Sequence, residues 1–277
     1  MAKKKPLSYG EYLGLDDLLD LQRLASKPRQ HDEVLFIIAH QAYELWFKLM
    51  LNELETAISH MLADDLAEAT RLIRRVVPVQ RVLIEQLEVL ETIKPTDFLK
   101  FRSILHPASG FQSLQFRELE FISGQKDERY LNLHVGNEKD YEQLLKRWEA
   151  PSLWDGFRTV MEERGLDVGR RERGREGEVF ELEVQASLKV FTDSKHSHVA
   201  ELAEVMLDYD KYFQLWRSHH IMMVERVIGG RPGTGEKAVE ETMGASFRPS
   251  GVSYLQTTMG KRFFPALWAA RTRIGAY

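Results

Sequence analysis

Two histidines fall where an imidazole would face an apolar interior. Over 215 to 226 the chain runs Leu-Trp-Arg-Ser-His-His-Ile-Met-Met-Val-Glu-Arg, and apolar or aromatic residues recur at Tyr209, Phe213, Trp216, Met223, Val224 and Val227. That is the three-or-four spacing of one helix face. His220 lies on this stripe. His219 is turned about 100° round the helix, nearer Tyr212, Leu215 and Met222, so adjacency does not make the two a chelating pair. His40 occupies the equivalent place on a second stripe, Phe36, His40, Tyr43, Phe47, Leu51 and Leu54. An inward imidazole is either a core histidine satisfied by one hydrogen bond or a neutral nitrogen donor, as to a haem iron, with apolar neighbours covering the macrocycle. Trp216, Met223 and Val224, within a turn of His220, supply such cover, and a second inward histidine raises the haem or metal alternative for both.

Other residues could hold a ligand beside them. Arg102, flanked by Phe101 and Ile104, suits bidentate pairing with a carboxylate, although a structural salt bridge accounts for it equally. It leads into Pro107-Ala108-Ser109-Gly110, small residues that let a ligand approach the backbone. Gly229-Gly230-Arg231-Pro232-Gly233-Thr234-Gly235 ends the His220 helix. No strand precedes it and no Gly-Lys-Ser/Thr follows, so it is neither a dinucleotide nor a phosphate loop. It does bring Thr234 within reach of a ligand above a metal plane. Tyr9 and Tyr12, three apart, share a helix face, as ordinary packing aromatics also would. Glu44 and Lys48 stand in the favoured i, i+4 order and are expected to pair with each other.

The elements that must position these groups are helical. The clearest spans 32 to 62, with Asp32 as the expected N-cap. Another covers 65 to 93 with Pro78 inside it, a place for a kink or a break. A turn at 94 to 97 precedes the helical turn carrying Arg102, and a further helix follows the small-residue loop through Leu114 to Ile122. Residues 124 to 137 are polar and read as a connection. Helical patterns return at 141 to 164, with Pro151-Ser152 opening its second half, at 180 to 191, and at 202 to 227. No β-branched alternation bounded by hairpin turns occurs, so the expected class is all-α.

The chain has 277 residues, 43% of them hydrophobic, enough for one large core and read as a single domain over 1–277. A net charge of −4 with the two signs intermixed implies no nucleic-acid or membrane partner. The absence of cysteine excludes disulfides, thiolate-ligated or covalently attached haem, iron–sulfur clusters and cysteine zinc sites. The basic start has no apolar stretch behind it, and the longest unbroken apolar run, 34 to 39, is too short to span a bilayer. A cytoplasmic protein is expected. The charge-dense stretch 169 to 178 reads as a solvated loop.

Four blocks together resemble the tryptophan 2,3-dioxygenases, haem enzymes that open the indole ring of L-tryptophan. They are Tyr9-Gly10-Glu11-Tyr12-Leu13; Phe36-Ile37-Ile38-Ala39-His40-Gln41-Ala42-Tyr43-Glu44-Leu45-Trp46-Phe47-Lys48; Phe98 through Arg102 to Pro107-Ala108-Ser109-Gly110-Phe111-Gln112-Ser113; and Trp216 through His220 to Gly233-Thr234-Gly235, followed by Tyr254-Leu255 and Phe264-Pro265-Ala266-Leu267-Trp268. The resemblance implies an all-α, haem-binding helical bundle with haem b on His220 as proximal ligand. It implies Trp216, Ser109 and Gly110 close to the haem, and His40 as the distal histidine that meets the indole N–H. Phe36 and Phe98 become pocket walls, with Tyr12, Leu13 and Leu105 beside them. Arg102 becomes the clamp for the substrate carboxylate, and Thr234 meets the amino-acid ammonium or carboxylate. It further implies a homotetramer in which Tyr9 reaches a neighbouring subunit's pocket, with L-tryptophan and O2 as substrates and N-formyl-L-kynurenine as product.

One departure is the insertion 236 to 249, directly after Gly235, read as either a solvated extension or a reshaped lid. Two rivals remain at this stage. A relative that places one oxygen atom on another indole or aromatic compound would be told apart by product mass. A haem sensor without turnover would show no tryptophan-induced change in the haem spectrum.

Overall fold

In a computed structural model the described residues are 6–106, 108–134, 136–231, 233–234 and 251–275, and among them the regular structure is helical, with no strand. The insertion 236 to 249 lies outside them. Two short helices, α1 (Tyr9–Leu13) and α2 (Leu15–Leu18), form an N-terminal arm. The long helices α3 (His31–Leu62) and α4 (Leu66–Leu90) follow. Next come α5 (Pro95–Arg102), α6 (Leu114–Ile122), α7 (Arg129–Asn132), α8 (Glu138–Glu149) and α9 (Leu153–Glu163). The last four are α10 (Glu176–Thr192), α11 (Ser197–Ile228), α12 (Gly251–Thr257) and α13 (Pro265–Arg273).

A three-residue turn joins α3 to α4, too short for anything but an antiparallel pair. Arg75 meets Glu53, and the Tyr43 hydroxyl donates to the Leu83 carbonyl. α11 then lies along α4 in the same direction, as the successive contacts Arg74–Glu201, Gln80–Tyr209 and Glu91–Arg226 show. The resulting slab, α3, α4 and α11, holds the main core, in which Leu54, Met61, Ile73, Val76, Phe157, Met206 and Tyr209 are fully buried. Each such leucine or isoleucine contributes about 1.5–3 kcal/mol by leaving water.

Several sequence expectations shift by a turn. α3 begins at His31 behind Gln30, which makes no side-chain cap, so Asp32 sits in the first turn rather than at the cap. The neighbouring Glu33 is the residue that reaches back, accepting from the backbone N–H groups of Ala25 and Ser26 and holding the arm's tail to the helix. α4 passes unbroken through Pro78, because its neighbours α3 and α11 bury the turns on either side. The 141 to 164 pattern is two helices, α8 and α9, parted at Pro151. The connection at 124 to 137 contains the single turn α7, and the charged stretch 169 to 178 runs into the first turn of α10.

By length and composition α3 is the one described helix apolar enough to cross a membrane. Its inner face, Tyr43, Phe47, Met50 and Leu54, is core, while Val34, Ile38 and Leu45 on the outer face are exposed.

Candidate active site

His40 on α3 and His220 on α11 enter one cavity of about 330 Å3. Antiparallel α3 and α11 present their stripes to each other across it, with Phe98 and Arg102 of α5, the 109–111 turn and Gly233-Thr234 closing the sides.

His40 is oriented by its own helix. Its Nδ1 lies 2.7 Å from the Phe36 carbonyl oxygen, which can only accept, so Nδ1 carries the proton and Nε2 keeps its lone pair. The residue is open to the cavity rather than buried in the core, but desolvation by the surrounding wall lowers its pKa, opposed by that hydrogen bond and by Glu44, which leaves the ring neutral at physiological pH. It is thus a hydrogen-bond acceptor aimed into a cavity. The Phe36 ring covers it at 4.1 Å between centroids, and Phe36 in turn packs on Phe98 at 5.6 Å and Phe101 at 5.7 Å.

Burial, and then the neighbouring His40, push the pKa of His220 down to about 4. Neutral imidazole is the form that ligates a metal. Trp216 stacks on it, centroids 5.1 Å apart and planes within 10°. His219 is half-buried and forms no part of the cavity wall, as the stripe placed it.

Arg102 is half-buried in the wall, its pKa lowered by burial and by the nearby Arg231, which makes this end of the cavity cationic. Thr234 Oγ1 donates to the Ala108 carbonyl at 2.9 Å, tying its loop to the 108–110 segment. Ser109 caps the short turn Gly110–Gln112, accepting from the Phe111 N–H at 3.3 Å. Gly110 has no positive φ, and a Cβ built on it would meet nothing within 4 Å. Neither backbone nor packing demands glycine there. Gly110 is among the residues that line the cavity.

The sequence missed a buried charge cluster in the same wall. Arg117 pairs with Glu120 at 2.5 Å, and Arg217 with the other oxygen of Glu120 at 3.1 Å; all three side chains are at most 6% exposed. Arg217 also donates to Gln125 and to the carbonyls of Thr258 and Lys261. Two guanidiniums thus share one carboxylate. The visible signal was Arg117 and Glu120 set among Phe116, Leu119, Phe121 and Ile122, and Arg217 directly after Leu215-Trp216. A second expectation is corrected here. Glu44 does not pair with Lys48; its carboxylate accepts from Ser113 at 2.7 Å and Gln115 at 2.8 Å, because α6 packs against α3 and offers less solvated partners.

Three residues expected beside the pocket, Tyr12, Leu13 and Leu105, do not line this cavity, and Tyr9, expected at a neighbour's pocket, does not either. Tyr9, Tyr12 and Leu13 are exposed on the arm, the two tyrosines by about three quarters of their surface, and Leu105 packs against the main core.

Fold and cavity together define a helical domain, among the described residues, with two histidines from different helices lining one cavity. The chain belongs to the tryptophan 2,3-dioxygenase family, whose model matches residues 1–168 and 178–274. A tryptophan 2,3-dioxygenase from a Nocardioides species is 40% identical over 97% of this chain and 95% of its own length. That of Herpetosiphon aurantiacus is 40% identical over 96% and 97%, and that of Serratia proteamaculans 38% over 98% and 95%.

Proposed function

We propose that the cavity binds haem b through His220 and L-tryptophan through Arg102, Thr234 and His40, and that the protein cleaves the indole C2–C3 bond with O2 to give N-formyl-L-kynurenine. The observation that carries this is the meeting of two neutral imidazoles from different helices in one cavity with a cationic end.

The residues present fit haem. Among the described residues no group of three or more His, Asp or Glu can hold a bare ion. A prosthetic group that brings its own ligands is in keeping with that set. Gly110 in the cavity wall leaves room for a flat macrocycle, and the guanidiniums of Arg117 and Arg217 in the same wall suit its carboxylates. When bound, haem supplies the activation of dioxygen.

The chain supplies binding and orientation. Arg102 takes the substrate carboxylate, and Thr234 Oγ1, whose proton is committed to Ala108, keeps lone pairs for the ammonium. His40 Nε2 accepts the indole N–H. Phe36 and Phe98 wall the ring and exclude water, and fixing the amino acid at both ends turns the encounter with oxygen into a positioned one. Tyr9, Tyr12 and Leu13 complete the site from a second subunit of a homotetramer, which the exposed apolar residues of the arm and of the outer face of α3 support. A cysteine-free chain is in keeping with the cytoplasm.

The test is purification with haem, reduction, and addition of tryptophan under air. Formation of the formylated aniline product is expected, with the Soret band lost in His220→Ala. Undiminished haem uptake by that variant overturns the assignment.

A further inference from the structure

Among the described residues a ring contact is what holds the His220 imidazole. A metal-bound histidine is normally oriented by a hydrogen bond from its second nitrogen to a carboxylate, carbonyl or water. His40 has such a bond, to Phe36. His220 makes none to any described residue; what it has is the indole of Trp216, one helical turn before it, lying parallel on its face at 5.1 Å.

That indole is itself fixed. Its Nε1–H donates to Tyr43 Oη at 3.3 Å, and the Tyr43 hydroxyl in turn donates to the Leu83 carbonyl. Burial pushes the Tyr43 phenol well above its ordinary range, so it remains a neutral O–H. Phe116 and Phe213 pack against the same indole with centroids at 5.3 and 5.9 Å, which leaves it little freedom to rotate. The chain of contacts thus runs from α4 through α3 to α11 and ends on the imidazole.

We propose that Trp216, anchored by Tyr43, is the positioning residue for the His220 ring, setting its rotation toward haem iron by stacking in place of the usual hydrogen bond. This rests on the haem assignment above, and its test separates the two. Resonance Raman of the ferrous haem protein reads the iron–histidine stretch, and hemin titration reads affinity. Trp216→Leu is expected to shift and broaden that band and to weaken hemin binding about 10- to 100-fold, the usual cost of losing a ligand's orienting partner. Tyr43→Phe and Trp216→Phe cut the same hydrogen bond, so each gives a smaller shift and the double variant no more than Trp216→Phe alone.

In the haem-free protein the His220 ring protons are expected upfield, and to lose that shift in Trp216→Leu. An unchanged iron–histidine band in Trp216→Leu overturns the proposal. Additive effects of the two Phe variants, or His220 protons at ordinary shifts, also overturn it. A wild-type chain that takes up no hemin sinks the haem assignment instead, and with it this one.

Discussion

Arg102 enters the cavity half-buried, so a carboxylate that meets it gives up much of its water. Removing one partner from a desolvated charge pair costs about 2–5 kcal/mol, so Arg102→Ala is expected to weaken tryptophan binding roughly 30- to several-thousand-fold. Haem content should not change, and a titration of the haem spectrum with tryptophan measures both; normal saturation would remove Arg102 from the substrate site. Gly110 makes the complementary case. Its turn tolerates a side chain by conformation and by space, so Gly110→Val should leave the stability of the haem-free protein within about 0.5 kcal/mol, while hemin uptake falls because the added methyls occupy the ligand's volume. Equal uptake would show that nothing flat lies against that turn. At this scale spacing was a good guide to direction, since a stripe of apolar neighbours separated His220 from His219 before any coordinates. It was a poor guide to partners. Glu44 has Lys48 one turn away on its own helix but bonds Ser113 and Gln115, which sequence distance hides.

Helices are where the sequence was most legible, because their apolar stripes are long, and where it erred was at ends, which depend on a few local bonds. The start of α9 shows what such bonds are worth. Ser152 and Asp155 form a reciprocal capping box, with Asp155 accepting from the Ser152 N–H at 2.8 Å and hydroxyl at 2.7 Å, and Arg171 adds an ion pair. Burial would raise the Asp155 pKa, but the two bonds from Ser152, with Arg171, outweigh it and hold the group below its usual value. A carboxylate with a depressed folded-state pKa stabilises the protein above its unfolded value of about 3.9 and loses that contribution as pH falls through the lower folded one. Asp155→Asn is therefore expected to cost about 1 kcal/mol at pH 7, with the gap to the parent closing below about pH 4. Denaturant melts at the two pH values check it, and a gap independent of pH would mean that the charge does not matter. Arg171 belongs to the stretch 169–177 that the family match leaves out.

Across the whole molecule the least self-sufficient part is the arm. Leu7, Tyr9, Tyr12, Leu19 and Leu21 are each more than half exposed, although α1 itself is well made, with a Ser8–Glu11 capping box and a left-handed Gly14 to end it. A segment with a defined fold and little apolar cover among the described residues is a surface for which the proposed homotetramer would supply a partner. Of the four blocks of family resemblance, three meet at the cavity of one chain, and the proposed homotetramer would give the first block a place at a neighbour's site. Mixing two defective chains decides it. Tyr9→Ala keeps its own haem cavity but offers no tyrosine, whereas His220→Ala offers the tyrosine but has no haem ligand. In oligomers carrying both, isolated through two different tags, a Tyr9→Ala cavity that faces a His220→Ala arm receives an intact Tyr9. Those haem sites should bind tryptophan with parental affinity, while homo-oligomers of Tyr9→Ala bind it weakly. If the arm instead folds back on its own cavity, every haem-bearing site in the mixture lacks the tyrosine, and the affinity stays at the Tyr9→Ala value at any mixing ratio.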